Sequence, residues 1–121
     1  MKKQKILFIC TANRYRSRTA HELFENNPNL DVKSCGCIEF YVRDTKRFYW
    51  DKAQTISQEL LEDADKIYVM ENFHLEHISN NFGDMFEHKI TNLNIDDIYE
   101  YNDPKLIEIL KEKLNDLAKE S

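Results

Sequence analysis

Cys10 and Arg16 stand six positions apart in the stretch "CTANRYRS", and Ser17 follows at once. A thiolate is a strong nucleophile. A guanidinium is a permanently charged fork whose N–H groups match two oxygens of a phosphate. The pattern C-x5-R can therefore offer a nucleophile and an oxyanion clamp together, if the chain between them closes into a loop. Arg14 and Arg18 lie in the same stretch, in a chain that is otherwise rich in acids. Residues 1–21 hold six Lys or Arg and no acid, whereas the remainder holds eleven basic residues and 22 acids. An acidic body disfavours nucleic acid as a partner. A local basic patch on it favours a small anion. The spacing by itself is a weak signal, and a Cys is most often a small buried hydrophobe. Its weight comes from what precedes and follows it.

Before Cys10 runs "KILFIC", continuously apolar and rich in strand formers, which reads as a buried strand. From Ser17, "SRTAHELFENN" reads as a helix with Ala20, Leu23 and Phe24 on one face and Pro28 as its stop. A loop that joins a strand end to a helix start gathers backbone N–H groups at one spot, an anion site without any side chain. The same positive field favours a thiolate placed beside it.

Further along, "LDVKSCG" reads as a second strand and "KIYVM" as a third, with "HKITNL" as a short fourth. Helices are expected over "TISQELLEDA", where Thr55 or Ser57 caps, and over "ENFHLEHISNNF". The clearest helix is "DPKLIEILKEKLNDLAKE", with Asp103 as N-cap, Pro104 at the first helical position, and Leu106, Leu110, Leu114 and Leu117 as its apolar stripe. Residues 38–52 read as irregular and aromatic. Strand and helix alternate, which predicts an α/β fold of three layers: a four-stranded parallel sheet, helices on both faces, and a phosphate-binding loop after the first strand. Ligands of such sheets bind outside the carboxyl ends of the strands. With 121 residues and no linker, one domain over 1–121 is expected.

In these residues the chain resembles the low-molecular-weight protein tyrosine phosphatases, and most nearly their short bacterial form. "CTANRYRS" matches the family loop C-x-x-N-x-x-R-S at Cys10, Asn13, Arg16 and Ser17. "ADKIYVMENFHLEHI" resembles the family's third strand and following helix, and "NDPKL" its Asp-Pro loop. The resemblance runs from about residue 5 to residue 117. It implies a four-stranded parallel sheet and a phosphomonoester hydrolase, a protein tyrosine phosphatase, that needs no metal or cofactor. Cys10 would attack phosphorus and form a phosphocysteine. Thr11, Ala12, Asn13, Arg14, Tyr15, Arg16 and Ser17 would form the substrate loop. In it, Arg16 clamps the phosphate, Asn13 holds the loop shape and Ser17 donates to the thiolate. Asp103 would protonate the leaving oxygen and then activate water. The partner implied is a phosphorylated protein or a small phosphomonoester.

The chain also departs from that pattern. Tyr15 stands where the family usually has a second loop Cys, Arg18 where it has Pro, and Ala12 where it has Gly. Lys105 and Leu106 follow the Asp-Pro pair in place of aromatics, which puts phosphotyrosine specificity in question. Phe40, Tyr41, Phe48, Tyr49 and Trp50 are alternative wall residues, or else core residues under a long loop. Asp103 reads equally as a plain helix cap, with Asp96 and Asp97 as rival acids. Cys35 and Cys37 admit a second reading, a thioredoxin-coupled arsenate reductase in which they resolve Cys10. A third reading is a non-enzymatic phosphocysteine carrier, for which Arg16 and Asp103 have no use. A metal on Cys35, Cys37, His74 or His77 lacks the ligand count such sites need, and the two histidines read as a solvated helix face. No apolar run approaches the roughly 20 residues of a membrane span. The apolar run near the N-terminus is too short for a signal peptide. The expectation is a cytoplasmic protein, no membrane partner, and reduced thiols.

Overall fold

A computed structural model describes residues 3–10, 16–37, 41–44, 49–52, 56–96 and 98–118; for 41–44, 49–52, 116 and 118 only the backbone is described. The elements run β1 (Gln4–Cys10), α1 (Arg16–Phe24), β2 (Leu30–Gly36), β3 (Tyr41–Asp44), β4 (Tyr49–Lys52), α2 (Gln58–Asp63), β5 (Lys66–Val69), α3 (Asn72–Phe82), β6 (Ile90–Asn92), α4 (Pro104–Lys113) and α5 (Asn115–Ala118). A 3-10 turn at Glu87–Lys89 leads into β6.

β2, β1, β5 and β6 form the expected four-stranded sheet in that order, every pair parallel. β1 is central, and its side chains alternate between two cores. Ile6, Phe8 and Cys10 pack with Ala20 and Phe24 of α1 and with Leu106 and Leu110 of α4. Leu7 and Ile9 pack with Leu61 of α2 and Ile78 of α3. Both faces of the sheet are thus covered, which is why "KILFIC" is apolar throughout rather than alternating.

Three expectations need correction. Residues 41–44 and 49–52 are not irregular: β3 and β4 pair as an antiparallel ladder, Tyr41 opposite Lys52 and Asp44 opposite Tyr49. The connecting residues, 45–48, contain no Gly or Pro, and the flanks do not alternate in polarity, so neither hairpin signal is present. The side chains of Phe40, Tyr41, Phe48, Tyr49 and Trp50 lie outside the described residues, and so does the question of whether they wall a site or fill the core. The last helix is two helices, because the chain leaves helical geometry at Leu114 (φ −108°, ψ 26°). Leu114 and Leu117 remain buried beyond the break, so the apolar stripe holds. Finally, His74 is no part of a solvated face. It is fully buried, for a reason that belongs to the site.

Candidate active site

β1 delivers Cys10 to the carboxyl edge of the sheet, opposite Gly36 at the end of β2. The thiol is almost wholly buried, and its Sγ lies 2.9 Å from the Oγ of Ser17. Ser17 itself is fully buried in the first turn of α1. A hydroxyl in such a place needs a partner, and a thiol seven residues earlier supplies one. Arg16, the first residue of α1, is 2% exposed. A buried guanidinium is costly unless it is paired and hydrogen-bonded. Its Nη1 donates to the carboxylate of Glu71 and, at 2.7 Å, to the carbonyl of Ile95. Cys10 and Ser17 are therefore brought together, and Arg16, next to Ser17 in the chain, has its guanidinium held by Glu71 and Ile95. Thr11, Ala12, Asn13, Arg14 and Tyr15 lie outside the described residues.

Glu71 was not singled out by its sequence. It is the N-cap of α3, in extended backbone at the end of β5. Its backbone N–H donates to Nδ1 of His74 at 2.9 Å, and the side chain of Glu71 accepts from the His74 N–H in return. This reciprocal box explains why His74 is buried: its ring satisfies an N–H that the helix start leaves unpaired. Glu-x-x-His after a strand was the available signal. The histidine disguised it, because the usual partner at that position is Glu or Gln.

Asp103 caps α4, accepting from the Lys105 N–H at 2.9 Å. The helix it opens carries Leu106 into the same core as Cys10. Leu106 is fully buried there, so it forms no exposed wall beside the Asp-Pro pair. Asp96 is exposed, and Asp97 lies outside the described residues. Cys35 and Cys37 are buried in the core on the α2–α3 side, whereas Cys10 packs on the α1–α4 side. Burial raises both thiols, with the neighbouring cysteines adding to it, and Cys37 reaches about 12. Both stay protonated near neutral pH. Among the described residues no group of three His, Cys, Asp or Glu side chains could hold a metal ion, and no helix is long and apolar enough to cross a membrane.

No protein-family model matches the chain, and no curated protein matches it in sequence. Solved structures do match it in shape. The low molecular weight protein tyrosine phosphatase of Streptococcus pyogenes superposes with a TM-score of 0.76 at 14% identity, covering 96% of this chain and 91% of its own. The tyrosine phosphatase Wzb from Escherichia coli K30, solved with phosphate, gives 0.75 at 23% identity, covering 97% of each chain. The fold is that of the low molecular weight protein tyrosine phosphatases. The arginine phosphatase YwlE of Geobacillus stearothermophilus has it too, with a TM-score of 0.62 at 24% identity over 97% of this chain and 87% of its own. Neighbours with this fold thus include tyrosine and arginine phosphatases.

Proposed function

We propose that residues 1–121 form one phosphatase domain that hydrolyses phosphomonoesters through a phosphocysteine on Cys10. The observation that carries this reading is the buried Cys10–Ser17 pair, 2.9 Å apart at the carboxyl end of the central strand, with buried Arg16 next to Ser17 in the chain. The thiolate of Cys10 attacks phosphorus, so that an S–P bond forms as the P–O bond to the leaving group breaks. Asp103 gives its proton to the departing oxygen. Water then attacks the phosphocysteine and passes a proton to the Asp103 carboxylate, while the S–P bond breaks and the thiolate returns. Arg16 balances the charge on the phosphoryl oxygens, and the Ser17 hydroxyl stabilises the departing thiolate. Thr11, Ala12, Asn13, Arg14 and Tyr15 complete the phosphate loop. The substrate is a phosphorylated protein side chain or a small phosphomonoester.

The arsenate reductase reading requires Cys35 or Cys37 to reach Cys10 as a nucleophile. Their burial on the other side of the sheet and their protonated thiols argue against it. The carrier reading uses neither Arg16 nor Asp103 in its chemistry. The deciding assay is turnover of an aryl phosphate, a phosphotyrosine peptide and a phosphoarginine peptide in the presence of a chelator. Wild type and Cys35→Ala/Cys37→Ala turn over the aryl phosphate or the phosphotyrosine peptide at rates within about threefold of each other, since Ala adds no unpaired polar group to the core; turnover of the phosphoarginine peptide alone would replace the phosphomonoester by a phosphoramidate. Cys10→Ser loses turnover. A folded double variant without phosphatase activity, together with wild-type reduction of arsenate by thioredoxin, would overturn the reading.

A further inference from the structure

The described residues between β6 and the cap of α4 bond in part to β5 and its end, and three of their contacts fall on α1. Near the start of the segment, the carbonyl of Ile95 accepts from Arg16 at 2.7 Å. Near its end, the N–H of Asn102 donates to Oγ1 of Thr19 at 3.0 Å. Between them the hydroxyl of Tyr101 donates to the Glu22 carboxylate. Arg16, Thr19 and Glu22 follow one another at three-residue steps along α1, so they are neighbours on its surface. The residue next to Thr19's partner is Asp103. Asp103 is held by its own N–H to the carbonyl of Glu100 at 3.1 Å, which closes the turn 100–103. Asn102 takes the left-handed backbone of that turn (φ 62°), which Asn tolerates better than most residues.

Thr19 is 1% exposed and sits beside the buried apolar residues Ala20 and Phe24. Valine would fill the same volume without the cost of a buried hydroxyl. The hydroxyl is present, and it meets the backbone of the Asp103 turn.

We infer that Thr19 is a positioning residue for the general acid. Its hydroxyl clips Asn102 to α1 and so sets where the Asp103 carboxyl stands relative to Cys10. The inference rests on the reading of Asp103 as the acid. It gives α1 two tasks, because the helix that opens with the phosphate clamp also registers the proton donor.

The test compares kcat/KM for a series of aryl phosphates, from nitrophenyl to plain phenyl, in three purified variants. Asp103→Asn sets the reference, since losing the acid penalises poor leaving groups most. Thr19→Val removes the acceptor while keeping the volume. It steepens the dependence on the leaving group, so that phenyl phosphate falls about tenfold or more and nitrophenyl phosphate about threefold or less, as a misplaced proton donor requires. Thr19→Ser keeps the hydroxyl and restores the wild-type slope. If Thr19→Val does not fold, Thr19→Cys reads the same contact through a weaker acceptor and gives an intermediate slope. A Thr19 variant that loses activity equally on every ester, or loses none, while Asp103→Asn steepens the slope, overturns the clip and leaves the acid in place. An unchanged slope in Asp103→Asn removes the acid, and the clip falls with it.

Discussion

At the scale of single residues, partners distinguish groups that burial leaves alike. Cys10, Cys35 and Cys37 are all buried thiols, and a hydroxyl, that of Ser17, lies 2.9 Å from the Sγ of Cys10. The pairing of Cys10 with Ser17 was legible because both belong to one continuous stretch. Glu71 was not, because it lies 55 residues from the arginine it neutralises. Its carboxylate is partly exposed, whereas Arg16 is almost fully buried. Glu71→Gln leaves that guanidinium short of counter-charge and should cost roughly 1–3 kcal/mol of stability. In the proposed reading a bound phosphate supplies negative charge to the same guanidinium. The rise in melting temperature on adding phosphate should therefore be larger in Glu71→Gln than in wild type. Equal rises would mean that Glu71 and the ligand act on Arg16 independently, contrary to this account.

At the scale of elements, Asp103 has a structural role beside the chemical one proposed for it. It caps α4 through the Lys105 N–H, as a plain Asp-Pro helix start would. Asn caps about as well as Asp, so Asp103→Asn should melt within a few degrees of wild type. Its kcat/KM for phenyl phosphate should fall by about 10²–10³-fold, within the range of a positioned general acid. Full activity on every ester would make Asp103 a cap only. The four strands of the sheet, α1 and α4 were readable because each has a clean period or a sharp stop. β3 and β4 were not, since an aromatic run without alternation or a turn glycine points to no particular element. The break at Leu114 was equally invisible: Leu114 and Leu117 keep the apolar spacing on both sides of it, and periodicity does not register a local change of backbone angle.

At the scale of the whole molecule, the sheet carries two cores, and its central strand contributes Cys10 to one while Cys35 and Cys37 lie in the other. That placement of Cys10 in one core and of Cys35 and Cys37 in the other has a measurable pH signature. In the unfolded chain the two thiols ionise near their usual value of about 8.5. In the folded chain burial holds Cys37 up to about 12 and raises Cys35 as well. Above about pH 9 the unfolded state therefore binds fewer protons than the folded one, and stability falls as pH rises. The urea midpoint should drop between pH 8 and pH 10, and it should drop less in Cys35→Ala/Cys37→Ala. Parallel slopes would show that these thiols are not held protonated by the fold. The central claim is the phosphocysteine on Cys10, and an intact-protein mass spectrum tests it most directly. Asp103→Asn is mixed with nitrophenyl phosphate, quenched in acid during turnover and weighed. The account predicts a population heavier by one phosphoryl group, mapped to the peptide containing Cys10 and absent from Cys10→Ser. Sustained turnover with no such adduct, or with the phosphoryl group on another residue, would contradict it.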